Sequence, residues 1–185
     1  MKELSLNILD IAGNSVKAKA QNVRIILEEN EETLTLSIED DGCGMTAEQV
    51  RNVTDPFFTT RTTRKVGMGI PLLKLAAEQT GGSFAIESRP ESEYPDSHGT
   101  KTSAAFFKTS IDFTPLGDVI STVATLIQGS PEIDWYYLHT KGDKSVCIDT
   151  KEIRAVLGDD VPLNSYEVIK WIEASLKEEY DSFDK

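Results

Sequence analysis

Apolar residues recur with two different periods along the chain, and the order of those periods limits the possible folds. Residues 3–20 carry apolar side chains at helical spacing, whereas residues 23–27 and 34–38 alternate apolar and polar side chains as half-buried strands do. Another helical stretch and two more strand-like stretches follow at about 72–79, 83–88 and 100–108. An order of helix, strands, helix and strands places helices on one face of a mostly antiparallel sheet. The sequence therefore predicts an α+β fold with one layer of helices and one layer of strands.

The composition changes after residue 110, close to Phe113–Thr114–Pro115. Residues 111–185 carry 15 acidic and 7 basic side chains, which is −8 of the formal net charge of −12. Patterns in this segment predict a helix, two strands joined by a turn at Lys141–Gly142–Asp143, and two closing helices. We therefore predict two domains, residues 1–110 and a small C-terminal α/β unit at residues 111–185.

Charge and composition exclude several classes of protein. A formal net charge of −12 argues against DNA, RNA or an anionic membrane as the main partner. No apolar run approaches the roughly 20 residues that a membrane span needs, and the N-terminus lacks the features of a signal peptide. The two cysteines, Cys43 and Cys147, lack metal-ligand spacing, and so small a number is typical of a reducing compartment. We expect a cytoplasmic protein with no membrane or nucleic-acid partner.

The first predicted helix carries a polar stripe. Asn7, Asp10, Asn14 and Lys17 are spaced by three, four and three residues, so they lie on one helical face. An amide oxygen is a hard ligand suited to magnesium, a carboxylate one turn away can orient or deprotonate a nucleophile, and a lysine can reach a phosphate. A simple solvated face would have the same spacing, so the stripe alone leaves both interpretations open.

A glycine-containing turn follows the second strand. Asp40–Asp41–Gly42–Cys43–Gly44–Met45 lies between that strand and a helix that begins with a capping box at Thr46 and Gln49. Its glycines permit a tight turn and a close backbone approach to a ligand, and a carboxylate at a strand end can accept a hydrogen bond from the amino group of adenine. Turns between a strand and a helix often have the same pattern without any ligand.

Two further elements carry residues suited to phosphates and to a base. Asp55–Pro56–Phe57–Phe58–Thr59–Thr60–Arg61 precedes Gly67–Met68–Gly69–Ile70–Pro71 at a predicted helix start, where backbone N–H groups can hold phosphates. The basic cluster at 61–65 supplies local positive charge between them. Gly99–Thr100 opens the last strand of the first unit, and the threonine hydroxyl can bond the adenine ring or a water beside it.

These four elements, in this order and spacing, resemble the GHKL nucleotide-binding superfamily, which includes sensor histidine kinases, DNA gyrase, heat-shock chaperones and MutL. The resemblance covers residues 1 to about 108, and the stretch from Asp55 to Thr60 is similar to that of nitrogen-sensor-type histidine kinases. It implies the GHKL (Bergerat) form of the α/β sandwich, with ATP and magnesium as cofactors.

The resemblance also implies a role for each matched residue. Asn14 corresponds to the family's magnesium-binding asparagine, Asp40 to its adenine-binding aspartate, and Thr100 to the threonine of its Gly–Thr pair. Asp10 occupies the position at which some members carry the glutamate that activates water or a serine hydroxyl, so it is the candidate catalytic residue. The predicted nucleotide-binding residues are Asn14, Lys17, Asp40, Gly42, Gly44, Met45, Arg61, Lys65, Gly67, Met68, Gly69 and Thr100.

The sequence departs from the family pattern at several points. Lys65 stands where the first glycine of the phosphate-binding Gly-x-Gly-x-Gly is expected, and Asp10 is one methylene shorter than the catalytic glutamate. The two histidines, His98 and His139, both follow the first helix, so no candidate phosphoacceptor histidine precedes it. We therefore do not expect a complete sensor histidine kinase.

The sequence supports a stand-alone regulatory protein that binds ATP with magnesium and either phosphorylates a protein partner or gates its interaction. The acidic segment 111–185 is the candidate surface for that partner. Asp10 favours catalysis. The glycine replaced by Lys65 favours the alternative, an ATP-sensing binding module without turnover.

Overall fold

Helices and strands follow one another along the chain in the order that the two periods predict. A computed structural model gives the structure of residues 3–55, 68–158 and 160–183. The elements of these residues, in chain order, are α1 (Leu4–Lys17), β1 (Asn22–Glu29), β2 (Thr33–Asp40), α2 (Ala47–Thr54), α3 (Gly69–Gln79), β3 (Ser83–Arg89), β4 (Gly99–Phe107), α4 (Val119–Gly129), β5 (Asp134–Lys141), β6 (Lys144–Asp149), α5 (Thr150–Leu157) and α6 (Tyr166–Phe183).

The strands form one mixed sheet, covered by helices on one face. Its order is β3-β4-β2-β1-β5-β6, and every neighbouring pair is antiparallel except β1 and β5, which run parallel. Ile25, Leu36 and Tyr137 are buried on the face that α1, α3, α4 and α6 cover, whereas Arg24 and Lys101 on the other face are exposed. The predicted two-layer α+β sandwich with a mostly antiparallel sheet is confirmed.

Local signals place the ends of the first three helices. The helix predicted over residues 3–20 ends at Lys17, because the backbone enters the left-handed region two residues later. α2 begins at the predicted capping box, in which the side chains of Thr46 and Gln49 each accept a hydrogen bond from the other residue's N–H. α3 starts earlier than predicted, at Gly69.

The two predicted segments share this sheet. β5 pairs with β1 along its whole length, from Asn22 opposite Asp134 to Glu29 opposite Lys141. α4 packs on α1, and the start of α1 is held by the chain before α4, since Leu4 N–H donates to the carbonyl of Pro115 at 2.9 Å. One buried apolar cluster includes residues of both segments. The change in composition after residue 110 therefore falls between β4 and α4, within a continuous core.

A polar cluster at one end of the sheet also connects the segments. Glu29 lies 2.6 Å from Lys108 Nζ and 3.3 Å from His139 Nε2, and the other ring nitrogen of His139 lies 2.9 Å from the hydroxyl of Tyr180. Tyr180 in turn bonds the hydroxyl of Tyr137. Burial raises the pKa of Glu29, but the hydrogen bond and charge of Lys108 outweigh it, so the net pKa is lowered and the carboxylate is stabilised.

Within the described ranges, no helix has both the length and the apolar character needed to cross a bilayer.

A fragment ending at residue 110 tests whether the two segments are energetically independent. The fragment would lose the ladder along β1 and the packing of α4 on α1, so we expect it to be less stable than the full chain by about 3 kcal/mol or more. Urea denaturation followed by far-UV circular dichroism gives both free energies of unfolding. Equal values would instead support the predicted division into independent domains.

Candidate functional site

A cavity of about 300 Å³ lies where α1 passes the end of β2 and the start of β4. The predicted nucleotide-binding residues that line it are Asn14, Asp40, Gly44, Met45 and Thr100. Its other lining residues are Ile11, Ser15, Ala18, Ile38, Cys43, Gln49, Val53, Ile70 and Thr102. The cavity is therefore mostly apolar, with a few polar groups converging on it.

Two hydrogen bonds fix the carboxylate of Asp40 at the end of β2. Ser15 Oγ donates to Asp40 Oδ2 at 2.6 Å, and the N–H of Gly42 donates to Asp40 Oδ1 at 2.9 Å. Ser15 is only 2% exposed, so its hydroxyl has little freedom to turn to solvent. Each carboxylate oxygen can accept more than one hydrogen bond. Asp40 is thus oriented by the protein and can still accept from a ligand.

The turn after β2 fits only with glycines at two positions. A Cβ on Gly42 would lie 2.7 Å from the Cβ of Ala18, and a Cβ on Gly44 would lie 1.9 Å from the carbonyl oxygen of Arg89. Gly44 also has a φ of +65°, which side chains rarely adopt. His98 Nδ1 lies 2.6 Å from the carbonyl oxygen of Gly42. The turn is therefore clamped between the end of α1 and the chain around β3 and β4.

Ser88 connects Thr100, on the β4 side of the cavity, to the glycine-containing turn after β2. Its hydroxyl accepts a hydrogen bond from the N–H of Met45 at 2.7 Å and lies 2.8 Å from Thr100 Oγ1. It also lies 3.1 Å from the carbonyl oxygen of Gly99. Sequence analysis identified neither Ser88 nor Ser15. Ser88 lies opposite Thr100 in the β3–β4 ladder, a register that becomes visible only in the fold.

The four polar residues of the α1 stripe differ in their exposure to solvent. Asn7 is 1% exposed, and its Oδ1 has no hydrogen-bond partner among the described residues. Asn14 is half-buried and lines the cavity, while Asp10 and Lys17 are exposed. A purely solvated face therefore does not describe Asn7 or Asn14. A Cβ on Gly69 would lie 2.9 Å from the Cβ of Asp10, so the start of α3 packs directly on Asp10.

Asp41, next to Asp40, has a different environment. Its carboxylate accepts hydrogen bonds from the N–H of Gln21 at 2.7 Å and from the N–H and side-chain amide of Asn22 at 2.9 and 2.7 Å. Burial raises the pKa of Asp41, but these hydrogen bonds outweigh it and lower the net pKa. Asp41 therefore holds the α1–β1 connection, and Asp40 is the carboxylate that faces the cavity.

A family model described as histidine kinase-, DNA gyrase B- and HSP90-like ATPase matches residues 2–111. The chain belongs to this family. The GHKL resemblance predicted from the four sequence elements is confirmed, and a GHKL ATPase domain accounts for the region that contains the cavity.

Curated relatives of this GHKL domain include two sensor kinases. The sensor histidine kinase ZraS of Klebsiella oxytoca is 29% identical over 90 residues, and the signal transduction histidine-protein kinase AtoS of Escherichia coli (strain K12) is 31% identical over 91 residues. Each alignment covers 49% of this chain, but only 19% of ZraS and 15% of AtoS. The chain thus spans less than a fifth of the length of either kinase.

Two solved structures resemble this chain over more residues than the family model matches. The Aquifex aeolicus MutL ATPase domain complexed with ADP superposes with a TM-score of 0.58 and 12% identity, covering 85% of this chain and 69% of that chain. The N-terminal domain of a DNA repair protein gives a TM-score of 0.58 with 13% identity, covering 86% and 58%. Each superposition covers more of this chain than residues 1–110 could provide. Part of the C-terminal segment therefore belongs to the shared fold.

The remaining predicted residues of the GHKL domain lie towards the start of α3 or outside the described residues. Gly69 is the first residue of α3, and Met68, before it, is 63% exposed and provides no side-chain cap. The N–H groups of a helix's first turn are suited to an anion when no side chain occupies them. Arg61, Lys65 and Gly67 lie outside the described residues, and their contacts with phosphate stay a prediction.

Replacing Ser15 with alanine tests how Asp40 is oriented. Loss of the Ser15 hydrogen bond should free one carboxylate oxygen and weaken binding of adenine nucleotides by roughly tenfold. Isothermal titration with ADP measures the affinity, and thermal unfolding shows whether the fold survives. Ser37→Ala is the matched control, because Ser37 bonds Ser103 on the opposite face of the sheet at 3.3 Å. Equal affinity for both variants would contradict this role for Ser15.

Proposed function

We propose that this GHKL domain binds ATP with one magnesium ion and uses it to phosphorylate a protein partner or to gate that partner's interaction. The supporting observation is the pairing of a fixed carboxylate with a helix-borne amide in one cavity. Asp40 is held by Ser15 and the N–H of Gly42, and Asn14 lines the same space.

The cavity has the size and chemistry of a purine site. At about 300 Å³ it lies at the small end of ligand pockets, which span roughly 300 to 1,000 Å³. It therefore suits a base, with the phosphates outside it. Ile38, Met45 and Ile70 offer apolar surface to the ring, and Asp40 accepts a hydrogen bond from an exocyclic amine. Adenine carries such an amine at C6, so the carboxylate suits adenine.

Asn14 and the groups beside it suit the metal and the phosphates. Magnesium commonly takes one or two protein oxygens and completes its shell with phosphates and waters. The amide oxygen of Asn14, which lines the cavity, is suited to be one such ligand. When bound, the ion neutralises charge on the phosphate oxygens. Lys17 is exposed one turn further along α1, where its ammonium can contact a phosphate.

Asp10 carries the proposed catalytic role. It is exposed and lies one turn before Asn14 on α1, so it is near the metal ion that we propose Asn14 holds. A carboxylate there can orient water or a partner's hydroxyl and accept its proton. Water as the nucleophile gives an ATPase that gates an interaction. A partner hydroxyl gives a protein kinase.

One observation favours the alternative, an ATP-sensing module without turnover. The start of α3 packs on Asp10, since a Cβ on Gly69 would lie 3.5 Å from Asp10 Oδ2. A carboxylate beside a helix N-terminus stabilises that helix through its dipole without any chemistry. In this alternative Asp10 is structural, and bound ATP changes only the conformation that the partner meets.

Asn14→Ala should remove the metal dependence of nucleotide binding. We expect the wild-type chain to bind ATP at least about tenfold more tightly with magnesium than with EDTA, because the metal links the amide to the phosphates. In Asn14→Ala the two affinities should be nearly equal. Isothermal titration under both conditions measures them. A variant that keeps the full magnesium effect would exclude Asn14 as the ligand.

Asp10→Asn should separate binding from chemistry. The amide keeps the shape of Asp10 but cannot accept a proton, so nucleotide affinity should stay within a few-fold while turnover falls by about a hundredfold or more. Release of ADP is measured for the purified chain, alone and with a lysate of its source. Asp112→Asn is the control, since Asp112 is exposed in the connection between β4 and α4.

Wild-type turnover that persists in Asp10→Asn would exclude Asp10 as the base. A wild-type chain that binds ATP but shows no turnover with or without lysate would support the sensing alternative.

A further inference from the structure

An apolar groove lies between α5, α6 and the edge strand β6. Its volume is about 720 Å³. Ile148, Ile153 and Val168 contribute apolar lining. Val156 and Trp171 also line it, and they are 86% and 56% exposed. Large apolar side chains exposed together around a concave surface are typical of an interaction site.

Carboxylates surround this groove. Asp149, Glu152, Glu167 and Glu179 all contribute to its lining. Among the described residues, no lysine or arginine forms an ion pair with Glu152 or Glu167. Burial raises the pKa of the Cys147 thiol in the groove, and the charges of nearby carboxylates, Glu179 first, raise it further.

Three of the four basic side chains of α5 and α6 are engaged by other carboxylates, and the fourth, Lys177, does not line the groove. Arg154 lies 3.1 Å from Asp134 and Lys151 lies 3.6 Å from it, while Lys170 pairs with Glu173 at 2.7 Å. The groove therefore combines apolar surface with negative charge that the described residues leave without basic partners.

We propose that the groove binds an amphipathic helix of a protein partner, with leucine-like side chains on one face and lysines or arginines along its flanks. Such helices commonly place an apolar face into an apolar groove, and their basic flanks match the carboxylates here. A second copy of this chain is a poor occupant, because its formal net charge of −12 would repel the acidic rim.

This surface extends the proposed function, because the partner of the ATP-dependent step would dock here. The groove is next to β6, and the nucleotide cavity is next to β2, three strands away in the sheet. Three strand spacings amount to roughly 14 Å. A docked helix and a bound nucleotide therefore occupy separate places. Peptide binding is measured without nucleotide, so it can fail or succeed independently of ATP binding.

The test uses two synthetic helical peptides of about four turns. One has leucines at helical spacing on one face and lysines elsewhere, and the other has glutamate in place of each lysine. Trp171 is the reporter, since Trp135 is 3% exposed and the chain has two tryptophans. We expect the leucine–lysine peptide to shift the Trp171 emission to shorter wavelength and to bind at least about tenfold more tightly than the leucine–glutamate peptide.

Matched variants locate the binding to the groove. Glu152→Lys combined with Glu167→Lys should weaken the leucine–lysine peptide by about tenfold or more. Glu31→Lys combined with Glu32→Lys, exposed at the β1–β2 turn, makes the same change in net charge and should have little effect.

A second pair of variants tests the apolar contacts. Val156→Ser should weaken the peptide several-fold, because Val156 lies in the groove wall. Ile111→Ser, at a position 99% exposed outside the groove, should leave the affinity unchanged.

Three results would overturn the proposal. The two peptides could bind equally, the groove and control variants could lose affinity equally, or neither peptide could bind. Sedimentation velocity adds a fourth: a concentration-dependent dimer that shields Trp171 would assign the groove to a second copy. If the chain binds the leucine–lysine peptide but not ATP, the groove proposal stands and the proposed function is refuted.

Discussion

The hydrogen bond from Ser15 to Asp40 joins α1 to the end of β2, and the candidate site depends on it. The bond is 2.6 Å long, and Ser15 is almost fully buried, so the bond favours one rotation of α1 over the sheet. That rotation places Asn14, the residue before Ser15, in the cavity. It leaves Asp10, one turn earlier on α1, exposed to solvent. The base, metal and phosphate contacts that we propose can thus come from one helix and one strand end.

Part of the negative charge of this acidic chain has structural roles. Asp41 is engaged by the N–H groups of Gln21 and Asn22, and Asp118 caps α4 by accepting from Ser121 N–H at 2.9 Å. These groups stabilise turns and helix ends, where negative charge is favourable. Glu152 and Glu167, which have no basic partner among the described residues, lie at the C-terminal groove, three strands from the cavity.

Periodicity and motifs predicted most of the elements and five of the residues that line the cavity, because both signals are local in sequence. What they missed is non-local. Ser15 occupies a buried position of the α1 pattern, and only the fold brings it to Asp40. Ser88 meets Met45 and Thr100 through a strand register that the long β3–β4 connection does not reveal. The parallel pairing of β5 with β1 likewise joins residues that lie more than a hundred positions apart, on either side of the change in composition.

The parallel β1–β5 pair also has a consequence for the nascent chain. A short turn connects β1 to β2, so these two strands can pair early in synthesis. β5 follows more than a hundred residues later, so the other edge of β1 has no strand beside it until most of the chain has been synthesised. An unpaired strand edge is a template for association with other chains, and non-local pairings form slowly. Slower translation of the chain between β2 and β5 would therefore prolong the period in which newly made molecules can aggregate.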